Sequence, residues 1–319
     1  MAKPMKVVRY RPEVTNRIYR KKHRIKMFLL VFGIIAGVAL FSYSLIFMIQ
    51  DVRHFTEPDP DDVPDPTPKK PAYSASDTIN ILNIGVSYTD ELEYVTIVGF
   101  SPGNERVRVC TFSDKTRIEG IAGGKSLREI YADSGTDGIT AAMEDIAKIK
   151  VFGYFLLDFS GTTKFYDVFN GCKVYLDQDI TYITSDSVMG IIAAKGDRRF
   201  VGRELVRLFS YRGWQNGEYD RAYFISKATA ATVNENLSGG TAAKYSVFYS
   251  SMVNKVSSNI SASDFEKVKN RIFYLARCNA MGQGICGIYK IVPPDKGGQS
   301  EDFVVTGDTV SVIRSFFAQ

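Results

Sequence analysis

Histidine is nearly missing from this 319-residue chain, and the two present, His23 and His54, both precede the part that reads as folded. That excludes Ser-His-Asp and Cys-His nucleophilic catalysis in the folded part, together with every His-ligated zinc arrangement. Cysteine is scarce as well. Cys110, Cys172, Cys278 and Cys286 show no CxxC spacing, which argues against a thiolate zinc site. Cys110 and Cys172 fall in apparent strands and read as small buried hydrophobes. In an oxidising exterior, Cys278 and Cys286 are the pair expected to join, closing the loop NAMGQGI. There is no Walker loop, and Gly282, Gly284 and Gly287 follow a helix rather than a strand, so a dinucleotide fingerprint fails on context. Carboxylates, arginines, lysines and hydroxyls remain, a set suited to phosphate or carbohydrate.

Acidic residues are almost absent from the first 50 positions, which hold Glu13 against ten Lys and Arg. Residues 27–49, MFLLVFGIIAGVALFSYSLIFMI, carry no charge over 23 positions, enough helix to cross a hydrocarbon core of about 30 Å. The run is longer than a signal-peptide core and leads into acidic sequence without a small-x-small cleavage site, so a retained anchor is expected. The basic flank assigns residues 1–26 to a cytoplasmic tail, which places the C-terminal bulk outside the cell membrane. Residues 50–76 form a Pro/Asp-rich stalk, with six of the eleven prolines between 56 and 74. Without the first 50 residues, 30 basic side chains face 34 acidic ones. The basicity of the chain therefore lies in its anchor flank, and no nucleic-acid surface is expected.

Residues 77–319 read as one mixed α/β domain, a mixed sheet flanked by helices. Short apolar runs predict strands at 78–86, 94–102 and 106–112, then at 153–159 and 172–180. Helical patterns fall at 126–149 (broken near Gly135), 162–169, 220–237 and 263–277, and 202–212 reads as a helix or a helix-to-strand passage. No internal repeat is present. The lone Trp214, in a Gly-Trp-Gln-Asn-Gly turn, reads as a carbohydrate platform or as a packing residue.

Several stretches in order resemble the LytR-CpsA-Psr (LCP) family of cell-envelope proteins. INILNIG (79–85) is similar to its opening strand, and YVTIVGFSPGNERVRVCTFSDKT (94–116) to its hairpin ending in Pro-Arg-Asp-Thr. KSLREIYADSG (125–135) resembles its Lys-Ile-Asn segment, GYFLLDFSGTTKFYDVFNGCKVYL (153–176) its Tyr-x-x-(Val/Asp)-Phe block, and GRELVRLFSYR…EYDRAYF its arginine signature. The order of tail, anchor and stalk also matches that family.

The resemblance implies a protein that transfers a glycopolymer from a polyprenyl-pyrophosphate lipid to peptidoglycan. In such proteins arginines hold the pyrophosphate, acids hold Mg²⁺ and an apolar pocket takes the lipid. Carried over, it implies Arg212 and Arg221 on the phosphates, with Lys115 and Lys125 assisting. Glu93 and Glu218 become the acid or base residues, and Glu93 is also the Mg²⁺ candidate. The sequence departs from the family at its centre. Ser113-Asp114-Lys115-Thr116 stands for Pro-Arg-Asp-Thr, and Glu91, Asp114, Ser210 and Phe224 occupy arginine positions. Two of these four put a negative charge where the family places a positive one. Two readings stay open. One is an LCP fold kept for binding or regulation, alongside an active LCP relative. The other is a divergent phosphotransferase.

Overall fold

The computed structural model describes residues 73–120, 122–183, 189–237, 242–280, 284–291 and 303–318. The expected anchor at 27–49 and nearly all of the stalk lie outside these residues. Among the described residues no helix is long and apolar enough to cross a membrane. The chain runs through β1 (Ile79–Val86), β2 (Leu92–Ser101), β3 (Arg106–Ser113), β4 (Thr116–Ile118) and α1 (Leu127–Ala147). Next come β5 (Val151–Leu157), α2 (Phe159–Val168), β6 (Cys172–Leu176), β7 (Ile180–Ile183), β8 (Met189–Ala193) and β9 (Gly196–Phe200). Helices α3 (Gly202–Ser210), α4 (Glu218–Asn236) and α5 (Ala242–Val253) follow. The C-terminal part contains β10 (Ser257–Ser258), α6 (Ala262–Asn279), β11 (Cys286–Tyr289), β12 (Phe303–Val305) and α7 (Gly307–Ala318).

A mixed sheet in the order β10-β5-β1-β2-β3-β11 forms the centre. β1, β2 and β3 run antiparallel in sequence, whereas β5 lies parallel to β1 and β11 parallel to β3. Alternation along each strand sends apolar side chains to both faces, as a sheet covered on both sides requires. Leu82, Ile84, Val95, Ile97 and Phe112 face α1 and α7. Val98, Val109, Phe155 and Leu157 face the layer built from α2 to α6. Fully burying each such side chain contributes about 1.5–3 kcal/mol.

Helix α1 starts on a capping box. Glu129 N donates to Ser126 Oγ at 3.2 Å, and Ser126 N donates to Glu129 Oε2 at 2.6 Å. The break expected near Gly135 is present, at φ 57°, ψ −147°, a conformation open essentially to glycine. Three boundaries differ from the sequence reading. Helix α2 begins at Phe159 because Asp158 caps it, its Oδ1 accepting from Gly161 N, and this ends the preceding strand at Leu157. The expected strand 172–180 breaks after Leu176, with β6 pairing β9 and β7 pairing β8. The helix from Gly202 stops at Ser210, where Tyr211 turns extended (φ −71°, ψ 127°), so Arg212 leaves the helix altogether.

Cys110 and Cys172 are fully buried, as expected of small hydrophobes. The expected disulfide is not formed: Cys278, at the end of α6, and Cys286, on β11, are both thiols. The sheet itself places Cys286, as its pairing with Val107 on β3 fixes the strand without a covalent tie.

Candidate functional site

The register of β2 and β3 sets Tyr94 opposite Ser113, so Glu93 and Asp114 meet at one end of the sheet. Asp114 N donates to Glu93 O at 3.3 Å. Helix α4 delivers Glu218 and Arg221 to the same point from its first turn, and the loop after α3 delivers Arg212. Gly217 opens α4 at φ 59°, ψ −133°, a backbone that a side chain would strain. Acids in a first helical turn also suit the positive end of the helix dipole.

Arg221 is 1% exposed and is the largest fully buried side chain among the described residues. Its five N–H donors find acceptors throughout the site. Nε donates to Glu218 Oε2 at 2.7 Å. Nη1 donates to Phe209 O at 2.8 Å and more weakly to Glu93 Oε2 at 3.4 Å. Nη2 donates to Glu93 O and to Asp114 Oδ1, both at 2.9 Å. One guanidinium thus ties β2, β3, α3 and α4 together.

Arg212 is 36% exposed and sits over the same acids. Its Nη1 donates to Glu218 Oε1 at 2.7 Å and to Asp114 Oδ1 at 3.0 Å, and its Nη2 to Glu93 Oε2 at 2.5 Å. A third arginine, Arg128 in the first turn of α1, reaches Asp114 Oδ2 at 2.6 Å. Ser113 Oγ donates to Glu218 Oε2 at 2.7 Å. Three guanidinium groups therefore meet three carboxylates, and the cluster is charge-neutral.

The carboxyls differ in their titration. Burial pushes Glu93 above the usual carboxylate range, although Arg212 and Arg221 oppose it. Burial would also raise Glu218, but Arg221, Arg212 and the Ser113 hydroxyl outweigh it and hold that carboxyl at about 2. For Arg212, burial favours the neutral form, yet Asp114, Glu218 and Glu93 together keep it charged.

Glu93, Glu218, Arg212 and Arg221, the four residues singled out at the acid and phosphate positions, are thus brought together. The lysines are not. Lys125 pairs with Asp133 at 2.6 Å on the surface near the start of α1. Lys115 lies in the turn between β3 and β4, and among the described residues it makes no ion pair with the cluster. Asp114 and Arg128 complete the site without having been predicted for it. Asp114 stood out in the sequence only as a lost arginine, and nothing in the sequence marks Arg128. Asp220, the other acid of this stretch, turns away to Lys290 Nζ at 3.2 Å and to Asn216.

Mg²⁺ needs oxygen ligands converging at about 2.1 Å in octahedral geometry. Here each carboxylate instead directs oxygen atoms at a guanidinium group. Among the described residues no group of three or more acidic, His or Cys side chains converges to hold a metal. The donor set does not fit the ion.

An apolar cavity of about 140 Å³, partly open to solvent, lies along the same sheet face. Phe100 and Phe155 of the sheet, Phe165 of α2, Phe248 of α5 and Val268 of α6 line it. Thr229 and Thr232 of α4 line its polar side. Tyr166, another lining residue, packs on Phe209 at 5.5 Å, and the carbonyl of Phe209 accepts from Arg221. Thr229 lies eight residues beyond Arg221 on α4, roughly 12 Å along the axis. The cavity and the arginine cluster are therefore neighbours along one helix.

The LytR_cpsA_psr family pattern matches residues 62–277. A protein of Eubacterium siraeum described as a transcription regulator shares the fold at a TM-score of 0.66 and 13% identity, covering 82% of this chain and 96% of its own. B. subtilis TagV follows at 0.59 and 16%, covering 75% and 95%. TagT, solved bound to LI-WTA, gives 0.55 and 11%, covering 77% and 91%. No curated protein matches the sequence.

Proposed function

Because the chain belongs to the LytR-CpsA-Psr family, we propose that it serves cell-envelope glycopolymer attachment as a binding or regulatory member. On this reading residues 27–49 anchor it in the cell membrane with the N-terminus cytoplasmic, and the folded domain works outside. The apolar cavity takes the hydrocarbon tail of a polyprenyl-linked glycan. Peptidoglycan, or an active relative of the same family, is the partner that receives or processes it.

One observation carries this reading: Arg212 and Arg221 are already engaged by Glu93, Asp114 and Glu218. A pyrophosphate would have to displace three carboxylates from three arginines, or accept their repulsion. At about 4 Å and an effective dielectric near 20, each like-charge contact costs on the order of 4 kcal/mol. The cavity needs no such rearrangement, since its walls are apolar. Retention of the tail site beside a self-neutralised head-group site favours capture over turnover.

The second reading, a divergent phosphotransferase, draws on Glu93. A buried carboxyl with a raised pKa beside a partly exposed arginine is the kind of group that moves protons. Arg212 also keeps donors not used by these acids.

Native mass spectrometry of the detergent-solubilised full chain with a long-chain polyprenyl monophosphate tests the binding claim. Retention of one lipid is expected, with its loss in Thr232→Phe, which fills the cavity from α4. Failure of the native chain to retain the lipid, or unchanged retention in Thr232→Phe, overturns the reading.

A further inference from the structure

Exposed apolar side chains scattered singly are ordinary, but three of them meet at one end of the sheet. Tyr88 follows β1, Phe159 opens α2 after β5, and β1 and β5 run parallel, so both lie past the same strand ends. Tyr88 is 92% exposed, Phe159 48% and Ile191 of β8 61%. Phe159 and Ile191 line one open hollow with Arg207 of α3. Tyr88 lines the next with Lys164, Lys255, and Asp158 and Ser160, the two chain neighbours of Phe159. The two hollows therefore meet at the first turn of α2.

The charge around them is one-sided. Among the described residues Lys164, Arg207 and Lys255 pair with no acid, and neither does Arg203, one turn before Arg207 on the exposed side of α3. The acids lining the hollows are Asp90 and Asp158, and both are engaged. Asp90 accepts from Tyr131 Oη at 3.0 Å, and Asp158 caps α2. Four free cations thus surround a cluster of exposed aromatic and aliphatic side chains.

This pattern selects an occupant. A second copy of the chain would set the same cations face to face, since a two-fold interface pairs a patch with itself. A neutral apolar partner would leave the cations without counter-charge. A bilayer bearing anionic lipid answers both parts, because aromatic rings settle at headgroup level and lysine and arginine are drawn to the negative surface. The connection permits it. Tyr73 enters at the opposite end of the sheet, ahead of β1, and packs on Tyr274 of α6 at 5.1 Å. The 23 residues between the expected anchor and Tyr73 reach about 70 Å as an extended proline-rich spacer, against about 26 Å for the length of β1.

We propose that this end of the domain docks on the anionic lipid surface of the membrane. Tyr88, Phe159 and Ile191 enter the headgroup layer, and the four cations meet its phosphates. Ser210 and Tyr211, in the wall of the Phe159 hollow, lead directly to Arg212, so docking brings the exposed arginine of the cluster near the lipid. Docking stands apart from glycan binding, and only the choice of membrane rests on the anchor proposed above.

For the test, the full chain is reconstituted in vesicles containing a lipid spin-labelled near its headgroup, and tryptophan emission is measured. Native Trp214 is buried against Phe224 and supplies the background. Tyr88→Trp should be quenched in vesicles of equal parts phosphatidylcholine and phosphatidylglycerol, and much less in phosphatidylcholine alone. Val312→Trp, exposed on α7 across the sheet, should stay unquenched in both. In the Tyr88→Trp chain, the surface changes Lys164→Gln and Arg207→Gln should each lower the docked-to-free ratio about fivefold. Flotation with phosphatidylcholine vesicles reports the anchor alone, so failure of the anchor and failure of the docking face are read separately. Equal quenching at the two positions, none at Tyr88→Trp, or quenching indifferent to anionic lipid and to the glutamine variants overturns the proposal. A concentration-dependent emission shift of Tyr88→Trp in lipid-free amphipol would assign the face to a second copy, which overturns it too.

Discussion

Arg221 and Arg212 look interchangeable in the sequence, yet their burial gives them different roles. Arg221, at 1% exposure, is a structural clamp with its donors used, and Asp114 beneath it is fully buried. Arg221→Ala would take from Asp114 its one fully buried guanidinium partner, leaving Arg212 and Arg128, and would strip Glu218 and Phe209 O of theirs; removing one member of a buried pair costs about 3–5 kcal/mol. Arg212 is more than a third exposed, so Arg212→Ala should cost about 1 kcal/mol at most. Urea unfolding of the two variants checks the contrast, and equal losses would refute it. Glu218 provides a pH test. Its carboxyl falls from the ordinary 4.5 to about 2 on folding. The stability it contributes is therefore present above pH 4.5 and is lost as the pH falls towards 2. Glu93 is raised and works with the opposite sign, favouring the fold at low pH. Glu218→Gln should accordingly flatten the acid limb of the stability curve between pH 4.5 and 2, measured by chemical denaturation across that range. At this scale the sequence located four cluster members through the family pattern. It could not reveal that Asp114 fills the gap with charge of its own, because that depends on the register of β2 on β3.

Among the elements, the glycine signal was the most legible. The interruption of α1 was readable from Gly135, which the structure holds at φ 57°, ψ −147°. Gly135→Ala should destabilise by about 1–3 kcal/mol, since alanine strains there, with the thermal midpoint as the readout. No loss would mean that the helix can straighten through this point. Element ends fixed by tertiary contacts were less legible. The run CKVYLDQDI alternates like one strand, but its two halves find different partners in β9 and β8. Sequence periodicity reports which face a residue takes and carries no information on which strand it will pair. The same limit hid β11, whose pairing with β3 places Cys286 without a disulfide.

For the whole molecule, the mixed α/β architecture followed from interleaved strand and helix patterns, and the ordered series of weak motifs pointed to the LCP family. Neither could reveal how an apolar cavity and a neutralised arginine cluster share α4. The cavity arises from side chains of α2, α4, α5 and α6 that are far apart in sequence, each of which reads singly as ordinary core. The proposed role is binding without transfer. The most direct test gives the full chain a polyprenyl-pyrophosphate glycan and a peptidoglycan acceptor, with and without Mg²⁺, and measures glycan attached to the acceptor. Retained lipid-linked glycan and no transfer above background are expected in either condition. Mg²⁺-stimulated transfer by the native protein, abolished in Arg212→Ala, would contradict it.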